Sequence, residues 1–259
     1  MWRDGIFPDA PPHAIGAQPD GLNINAGYGA TAPQNLQQAV LKHHADLGIA
    51  LDGDGDRLIM VDAQGVLYDG DQLLYVIAKH RQQQGLLKGG VVGTLMTNLG
   101  FEHAMQRLGI PFLRAKVGDR YVMEVLQQQG WQLGGENSGH ILCLDKHSTG
   151  DGIISALQVL HALCASKQSL AEATADLTMY PQVLMNVRIQ KGQDCLQHPD
   201  VLAAVADAER QLAGRGRVLL RPSGTEPLLR VMVEGEDGSL VEDCARQIVE
   251  VIRSLVSTA

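Results

Sequence analysis

Short apolar runs alternate with longer helical patterns between residues 66 and 177, and this alternation constrains the fold more than any other feature. Strands that alternate with helices of about 10–15 residues form parallel-rich sheets covered by helices. The sequence therefore predicts an α/β domain here. Its predicted strands are 91–95, 112–115, 131–133 and 141–144, and its predicted helices are 71–84, 99–108, 119–129 and 152–166. In the helix over 99–108, the side chains expected to face the core are Leu99, Phe101, Met105 and Leu108.

The last part of the chain, residues 181–259, has a different pattern. A strand over 183–189 and a helix over 201–212 precede strands over 217–221 and 228–234 and a helix over 240–256. The final helix has an apolar stripe of helical period, which is typical of a face packed on a core; the stripe contains Val241, Cys244, Ala245, Ile248, Val249, Ile252 and Leu255. This order of elements predicts a small α+β domain, with a hinge before it at Tyr180-Pro181.

The first part of the chain begins with 30 residues rich in Gly, Pro and Asn that have little periodicity, and Pro8, Pro11 and Pro12 would interrupt a helix there. A helix is predicted from Thr31 to about Ala45. Two apolar runs follow, over 47–51 and 58–61, and both are predicted to be buried strands. A turn is expected at residues 63–65.

The loop between those two strands, residues 52–57, has the sequence DGDGDR. Its carboxylates, Asp52, Asp54 and Asp56, crowd three negative charges together, and a hard divalent cation such as Mg²⁺ would relieve that cost. Two other readings stay open. The loop could be a solvated acidic turn, since Asp-Gly favours hairpins, or Asp52 could be the nucleophile of a phosphatase with Asp54 as its acid or base. An EF-hand fits poorly, because its sixth and twelfth positions hold Arg57 and Ala63 here.

A second motif, RPSGTEP at 221–227, joins two predicted strands and is followed by an arginine. Arginine holds phosphate through paired hydrogen bonds, and the hydroxyls and glycine of such a loop add further donors. The motif predicts a phosphate cradle formed by Arg221, Ser223, Gly224, Thr225 and Arg230. An ordinary Pro/Gly turn with surface arginines is the alternative.

Two further loops carry polar groups that suit a sugar phosphate. The loop GENSGH at 135–140 places Glu136, Asn137, Ser138 and His140 close together, and such side chains can hydrogen-bond several hydroxyls. His140 could also move protons near neutral pH, although a structural histidine is the more common case. The loop KVGDR at 116–120 brings Lys116 and Arg120 to the start of a predicted helix, where anions are favoured. A solvated turn is the alternative for that loop.

Composition excludes several classes of function. The formal net charge of −8 argues against general nucleic-acid binding, which needs a basic face. No run approaches the roughly 18 apolar residues of a membrane span, and the N-terminal residues do not resemble a secretory signal. The four cysteines lie far apart without a C-x-x-C pair, so we expect reduced structural thiols and a cytoplasmic location.

The four loops at 52–57, 116–120, 135–140 and 221–227, taken in this order, resemble the α-D-phosphohexomutase superfamily, and most closely its bacterial phosphoglucosamine mutases. The stretches GTLM at 93–96 and VMVEG at 231–235 fit the same group, and Asn137 resembles the glucosamine-type enzymes. The resemblance extends from about His13 to the C-terminus. It assigns residues 1–65 to a remnant of the family's second, metal-binding domain, residues 66–177 to its third, sugar-binding domain, and residues 181–259 to its fourth, phosphate-binding domain.

The resemblance also implies roles for individual residues. Asp52, Asp54 and Asp56 would hold Mg²⁺, with Arg57 beside the phosphoryl group. Lys116 and His140 would be the acid/base and transfer candidates, and Glu136, Asn137, Ser138 and Arg120 would contact the substrate. The residues of the phosphate cradle would hold the non-reacting phosphate. The family reaction interconverts glucosamine 6-phosphate and glucosamine 1-phosphate for UDP-N-acetylglucosamine synthesis, with glucosamine or glucose 1,6-bisphosphate as activator. A hexosamine phosphate would be the partner, and a homo-oligomer is compatible with the family.

The sequence departs from the family at one essential point. Family members carry the transferred phosphoryl group on a serine of their first domain, in a loop resembling Thr-Ala-Ser-His-Asn, and nothing in this sequence matches that loop. We therefore expect a truncated chain that is inactive alone. A non-catalytic module that binds a sugar phosphate and a metal is the second hypothesis, and the aspartyl-phosphate phosphatase is the third.

Overall fold

The computed structural model describes residues 13–189, 195–223 and 226–257. The chain divides into two compact units. The first contains the residues up to Thr97 together with Phe101–Thr178, and the second contains Asn98–Gly100 and the chain from Met179 onwards. The predicted boundary between residues 65 and 66 lies inside the first unit, so it stays a prediction.

The first unit begins with a small antiparallel sheet of three strands in the order β1-β2-β3. Its elements are α1 (Gln34–His43), β1 (Leu47–Leu51), β2 (Leu58–Asp62) and β3 (Leu67–Tyr68). The pairing of Leu51 with Leu58 closes a hairpin around residues 52–57. The expectation that β1 is fully buried is wrong at Ile49, which is 40% exposed. Alternation explains this, because Gly48 and Ala50 face the other side of the strand and are buried there.

A mixed sheet of four strands in the order β5-β4-β6-β7 forms the rest of the first unit. Its elements are α2 (Gly70–Gln83), β4 (Val91–Thr94), α3 (Leu99–Arg107), β5 (Phe112–Ala115), α4 (Asp119–Gln129), β6 (Leu133–Gly135), β7 (Ile141–Cys143), α5 (Gly152–Ser166) and α6 (Leu170–Ala173). β4 runs parallel to β5 and β6, as predicted, whereas β7 runs antiparallel to β6. The helix α3 begins with two residues of the second unit. In this helix Phe101 and Met105 are buried and Leu99 is half-buried, and Leu108, which follows the helix, is also half-buried.

The strand predicted over 131–133 is displaced, since β6 begins at Leu133 and includes Gly134 and Gly135. Glycine normally weakens a strand, so the pattern placed the strand too early. Here Gly134 is packed so closely that an added Cβ would lie 2.7 Å from the carbonyl oxygen of Val92. The displacement matters for the site, because it brings Glu136 directly to the end of β6.

The second unit is an antiparallel sheet in the order β8-β10-β9 packed against two helices. Its elements are β8 (Gln182–Arg188), α7 (Pro199–Leu212), β9 (Gly216–Pro222), β10 (Leu228–Gly235) and α8 (Gly238–Ser257). The predicted stripe of α8 faces the core: its members from Val241 to Ile252 are buried, and Leu255 is half-buried. This arrangement confirms the predicted α+β character of the unit.

All four cysteines are free, as expected, but they differ in exposure. Cys143, Cys195 and Cys244 are buried, whereas Cys164 is exposed on α5. Burial raises the pKa of the Cys143 thiol to about 11, so this thiol is protonated at neutral pH. Within the described residues, we find no helix whose length and apolar character would let it cross a bilayer.

Candidate active site

The hairpin loop between β1 and β2 gathers the three predicted metal ligands. One carboxylate oxygen from each of Asp52, Asp54 and Asp56 lies within 4.8 Å of the other two. The backbone N–H of Arg57 donates to Asp52 Oδ1 at 3.1 Å, and its Nε lies 3.7 Å from Asp52 Oδ2. The Asp52 side chain is only 7% exposed, so its charge is held in place by Arg57 and by the loop itself.

The donor set of this loop fits a hard divalent cation such as Mg²⁺. All three side chains offer carboxylate oxygens, which are the ligands that Mg²⁺ prefers. In the described part of the chain, Asp56 Oδ1 is buried and has no hydrogen-bond partner. Burying a carboxylate oxygen without a partner costs free energy that a cation would recover. The unpaired oxygen of Asp56 is an observation that does not depend on the sequence motif, and it supports the same metal site.

The loop 135–140 docks directly on the acidic hairpin. The N–H of Leu58 donates to the carbonyl oxygen of Gly139 at 3.0 Å, and Arg57 and His140 form an isolated β-bridge. Gly139 has φ +97°, and an added Cβ would lie 2.2 Å from the carbonyl oxygen of Leu58. Glycine is therefore required at this position, both for its backbone angle and for the close approach of the two loops.

His140 joins the two loops through its side chain. Its Nδ1 lies 3.0 Å from Asp56 Oδ2, and the side chain is almost fully buried. Because an ionised carboxylate can only accept hydrogen bonds, Nδ1 carries the proton in this contact. Nε2 is buried, has no hydrogen-bond partner among the described residues, and faces Gly150. In this geometry the imidazole is directed at a candidate metal ligand, and its second nitrogen is enclosed.

The remaining polar groups of loop 135–140 connect it to neighbouring elements. Glu136 Oε1 accepts a hydrogen bond from the N–H of Gly118 at 2.8 Å. The carbonyl oxygen of Asn137 accepts from the N–H of Gly70 at 3.0 Å, at the start of α2. Within the described residues, Ser138 Oγ is buried without a hydrogen-bond partner. The loop is thus held from two sides, and the Ser138 hydroxyl is left available for a ligand.

The loop 116–120 presents two cations around one aromatic ring at the start of α4. Lys116 Nζ lies 5.8 Å from the ring centroid of Tyr121, and the guanidinium carbon of Arg120 lies 4.6 Å from it. Arg120 also donates from Nη2 to Tyr121 Oη at 3.1 Å. The N-cap residue Gly118 has φ +123°, a conformation that favours glycine. The hydrogen bond from the N–H of Gly118 to Glu136 places this loop beside the loop 135–140.

The predicted phosphate cradle lies in the second unit, at one end of its sheet. Arg221 on β9 and Arg230 on β10 are directly paired across the two strands, so their side chains project from the same face. Arg230 Nε is buried and has no hydrogen-bond partner in the described part of the chain. Ser223 Oγ accepts from the N–H of Glu226 at 3.3 Å. Gly224 and Thr225 lie outside the described residues.

Sequence reasoning missed Asp69, which caps the helix that holds the loop 135–140. Its carboxylate accepts a hydrogen bond from the backbone N–H of Gln72 at 3.1 Å. In return, the side-chain Oε1 of Gln72 accepts a hydrogen bond from the backbone N–H of Asp69, also at 3.1 Å. Burial raises the pKa of the Asp69 carboxyl above its ordinary value. An Asp followed three residues later by Gln is the capping-box pattern, so a local signal was present in the sequence. Tyr121 and Gly150 had no comparable signal.

Comparisons with known proteins agree with these motifs. Residues 69–180 match the family described as phosphoglucomutase/phosphomannomutase, alpha/beta/alpha domain III, and residues 184–251 match the C-terminal domain of the same family. Together the two matches cover well over half of the chain. The chain belongs to the phosphohexomutase family. It contains the family's third domain and its C-terminal domain.

Two curated relatives of this phosphohexomutase chain are bacterial phosphoglucosamine mutases. The protein of Azoarcus sp. (strain BH72) is 64% identical over 94% of the chain and 54% of its own length. The protein of Nitrosospira multiformis is 63% identical over 93% of the chain and 52% of its own length. The chain thus spans about half the length of these relatives.

A solved structure shows the same fold. The crystal structure of Aspergillus fumigatus N-acetylphosphoglucosamine mutase, in complex with GlcNAc-6P and magnesium, has a TM-score of 0.72 with 23% sequence identity. The match covers 90% of this chain and 54% of that protein. At this identity the similarity establishes the fold of the chain and nothing finer.

Proposed function

We propose that this chain supplies the metal-, sugar- and phosphate-binding parts of a phosphoglucosamine mutase, which interconverts glucosamine 6-phosphate and glucosamine 1-phosphate. The contact between Asp56 and His140 carries the proposal. It joins the acidic loop, whose chemistry suits Mg²⁺, to a loop whose side chains suit sugar hydroxyls. Phosphoryl transfer depends mainly on positioning and on neutralising charge, and a single sugar phosphate needs both groups close together.

The acidic loop has the role of holding the cation. Asp52, Asp54 and Asp56 would be the protein ligands, and bound Mg²⁺ would neutralise charge on the transferred phosphoryl group. Arg57 lies beside Asp52, and its side chain is about half exposed, so its guanidinium is accessible to a phosphoryl group. His140 orients Asp56 through its Nδ1–H, as hydrogen-bond donors commonly do for ligating carboxylates. Because Nε2 is enclosed, we favour this orienting role of His140 over direct proton transfer.

The sugar and its phosphates have separate binding groups. Glu136, Asn137 and Ser138 bind the hydroxyls and the amine of glucosamine. Lys116 and Arg120 bind phosphoryl oxygens, and Lys116 is also the acid/base and transfer candidate. In the second unit, Arg221, Ser223 and Arg230 hold the non-reacting phosphate, together with Gly224 and Thr225. A hexose 1,6-bisphosphate is the activator in this scheme. The phosphatase alternative has less support, because Asp52 is nearly buried and held by Arg57, which leaves it poorly placed for nucleophilic attack.

A metal titration tests the proposal at the acidic loop. Mg²⁺ at 100 times its dissociation constant should stabilise the parent chain by about 2.7 kcal/mol. A variant with Asp52, Asp54 and Asp56 all replaced by Ala should lose this stabilisation, whereas the control Asp200→Ala, which removes an exposed carboxylate of the second unit, should keep it. The melting temperature at increasing Mg²⁺ is the measurement. Equal stabilisation of the parent and the triple variant would refute the metal site.

A turnover assay separates the enzyme from a module that only binds. The reaction stores the phosphoryl group on a residue while the sugar reorients, and the 259 residues contain no counterpart of the family's serine loop. We expect the chain alone to bind glucosamine 6-phosphate but to form no glucosamine 1-phosphate in the presence of Mg²⁺ and the bisphosphate. Turnover within tenfold of an intact relative would point to an unrecognised phosphoryl carrier in this chain.

A further inference from the structure

Tyr121 directly follows the loop 116–120 in the first turn of α4, and no motif assigned it a role. The side chain is half-buried at the start of α4 and packs against a small core that includes Val122 and Leu126. An added Cβ at Gly118 would lie 3.3 Å from Cδ2 of the Tyr121 ring, so the loop fits closely against one side of it. The ring is therefore packed on one side by the core and by the loop.

Both cations of the loop use this ring. The ammonium of Lys116 and the guanidinium of Arg120 lie within 6 Å of its centroid, the range in which a cation is attracted by an aromatic face. Arg120 gains a second contact, because its Nη2 donates to the Tyr121 hydroxyl at 3.1 Å. Lys116 and Arg120 are otherwise exposed. Without the ring, two long and flexible side chains would each sample many rotamers.

The two cations lack an acidic partner. Among the residues that the structure describes, neither Lys116 nor Arg120 has a carboxylate within 4.0 Å. Two positive groups at one ring repel each other, and the ring offsets only part of that repulsion. A phosphate group bound at this loop would offset the rest. The unpaired charges thus agree with an anion at this loop.

We propose that Tyr121 is a positioning residue that holds Lys116 and Arg120 together for a phosphoryl group of the substrate. This inference rests on the proposed function and extends it to a residue that acts only through its neighbours. The N–H of Gly118, inside the same loop, is bound to Glu136 at 2.8 Å. This contact does not use the Tyr121 side chain. A change in Tyr121 should therefore alter phosphate binding and leave the loop 135–140 in place.

The test uses inorganic phosphate as the probe and backbone amide shifts of residues 117–121 as the readout. These shifts report binding at this loop separately from binding at Arg221 and Arg230. Tyr121→Leu keeps apolar packing but removes the ring, and it should lower the affinity for phosphate about two- to fivefold for each lost cation contact. Tyr121→Phe keeps the ring and should lie closer to the parent. Tyr28→Leu, which replaces an exposed tyrosine of the same unit, should change nothing.

A double-mutant cycle separates positioning from a merely structural role. If Tyr121 acts through the cations, Tyr121→Leu should have no further effect in a Lys116→Gln/Arg120→Gln background. An equal loss in both backgrounds would overturn the inference, as would an unchanged affinity of Tyr121→Leu in the parent. Two other results would also overturn the inference. The Lys116→Gln/Arg120→Gln variant could show the same phosphate-induced changes in the amide shifts of residues 117–121 as the parent, or the parent itself could show no such changes. In either case the loop does not bind an anion.

Discussion

The loops 52–57 and 135–140 of the first unit and the pair Arg221 and Arg230 of the second unit are positioned in different ways. In the first unit, backbone groups of distant loops bind each other directly, as the N–H of Leu58 does with the carbonyl oxygen of Gly139. In the second unit, Arg221 and Arg230 are neighbours because β9 and β10 pair in a regular register. The first arrangement depends on a close approach of two backbone segments. The second depends on strand pairing, which does not require a particular side chain at either position.

This difference predicts different responses to mutation. A change that separates the two loops of the first unit should disturb its fold and its site together. A change in Arg221 should alter ligand binding and leave the fold unaffected, because β9 and β10 pair through backbone groups and not through that side chain.

The largest effect is expected for Gly139→Ala. The new Cβ would meet the carbonyl of Leu58 at 2.2 Å, and φ is +97°, so overpacking and backbone strain act together. We expect a loss of roughly 2–6 kcal/mol in the free energy of unfolding of the first unit. Gly109→Ala is the control, since Gly109 has φ +65° with open space around it and should lose about 1–2 kcal/mol. Urea denaturation measures both, and equal losses would contradict the importance of the close approach.

Replacing an arginine of the second unit should have a smaller effect, confined to binding. Arg221→Ala removes a charge-assisted contact to phosphate, which costs roughly 1.5–3 kcal/mol of binding free energy. Calorimetric titration with glucosamine 6-phosphate measures this loss, and the melting temperature of the variant should stay close to that of the parent. Arg246→Ala on α8 is the control, because among the described residues the ion pairs of Arg246 are exposed and lie within its own helix. Unchanged affinity of Arg221→Ala would remove this loop from the site.

The smallest effect concerns acid stability of the first unit alone. Burial, followed by the neighbouring charges of His161 and Arg81, lowers the pKa of His80 on α2 from its ordinary value of 6.5. The unfolded chain therefore takes up a proton more readily than the folded chain, and stability falls as the pH decreases below about 6.5. His80→Gln should flatten this decrease, whereas His147→Gln, which changes an exposed histidine, should retain it. Denaturation midpoints between pH 7 and pH 5 test the difference.

Local signals explain which elements could be predicted from the sequence. The helices α4 and α5 begin and end at the predicted residues, because Gly130 follows the first and Asp151 caps the second. The start of β6 was misplaced because its glycines suit a tightly packed strand that no local pattern reveals. The exposure of Ile49 was missed for a similar reason, since an apolar run does not tell which face of a strand is covered.

The amino-acid sequence by itself determined the types of element, the residue types of the candidate site and the resemblance to the phosphohexomutases. These features depend on local propensity, hydrophobic period and motif spacing, all of which act over short stretches of chain. Only the tertiary structure decided that Asp56 meets His140, which lies 84 residues away. It also decided that two cations share the ring of Tyr121. Such contacts depend on how hairpins and strand ends pack together, and a linear sequence pattern does not contain that geometry.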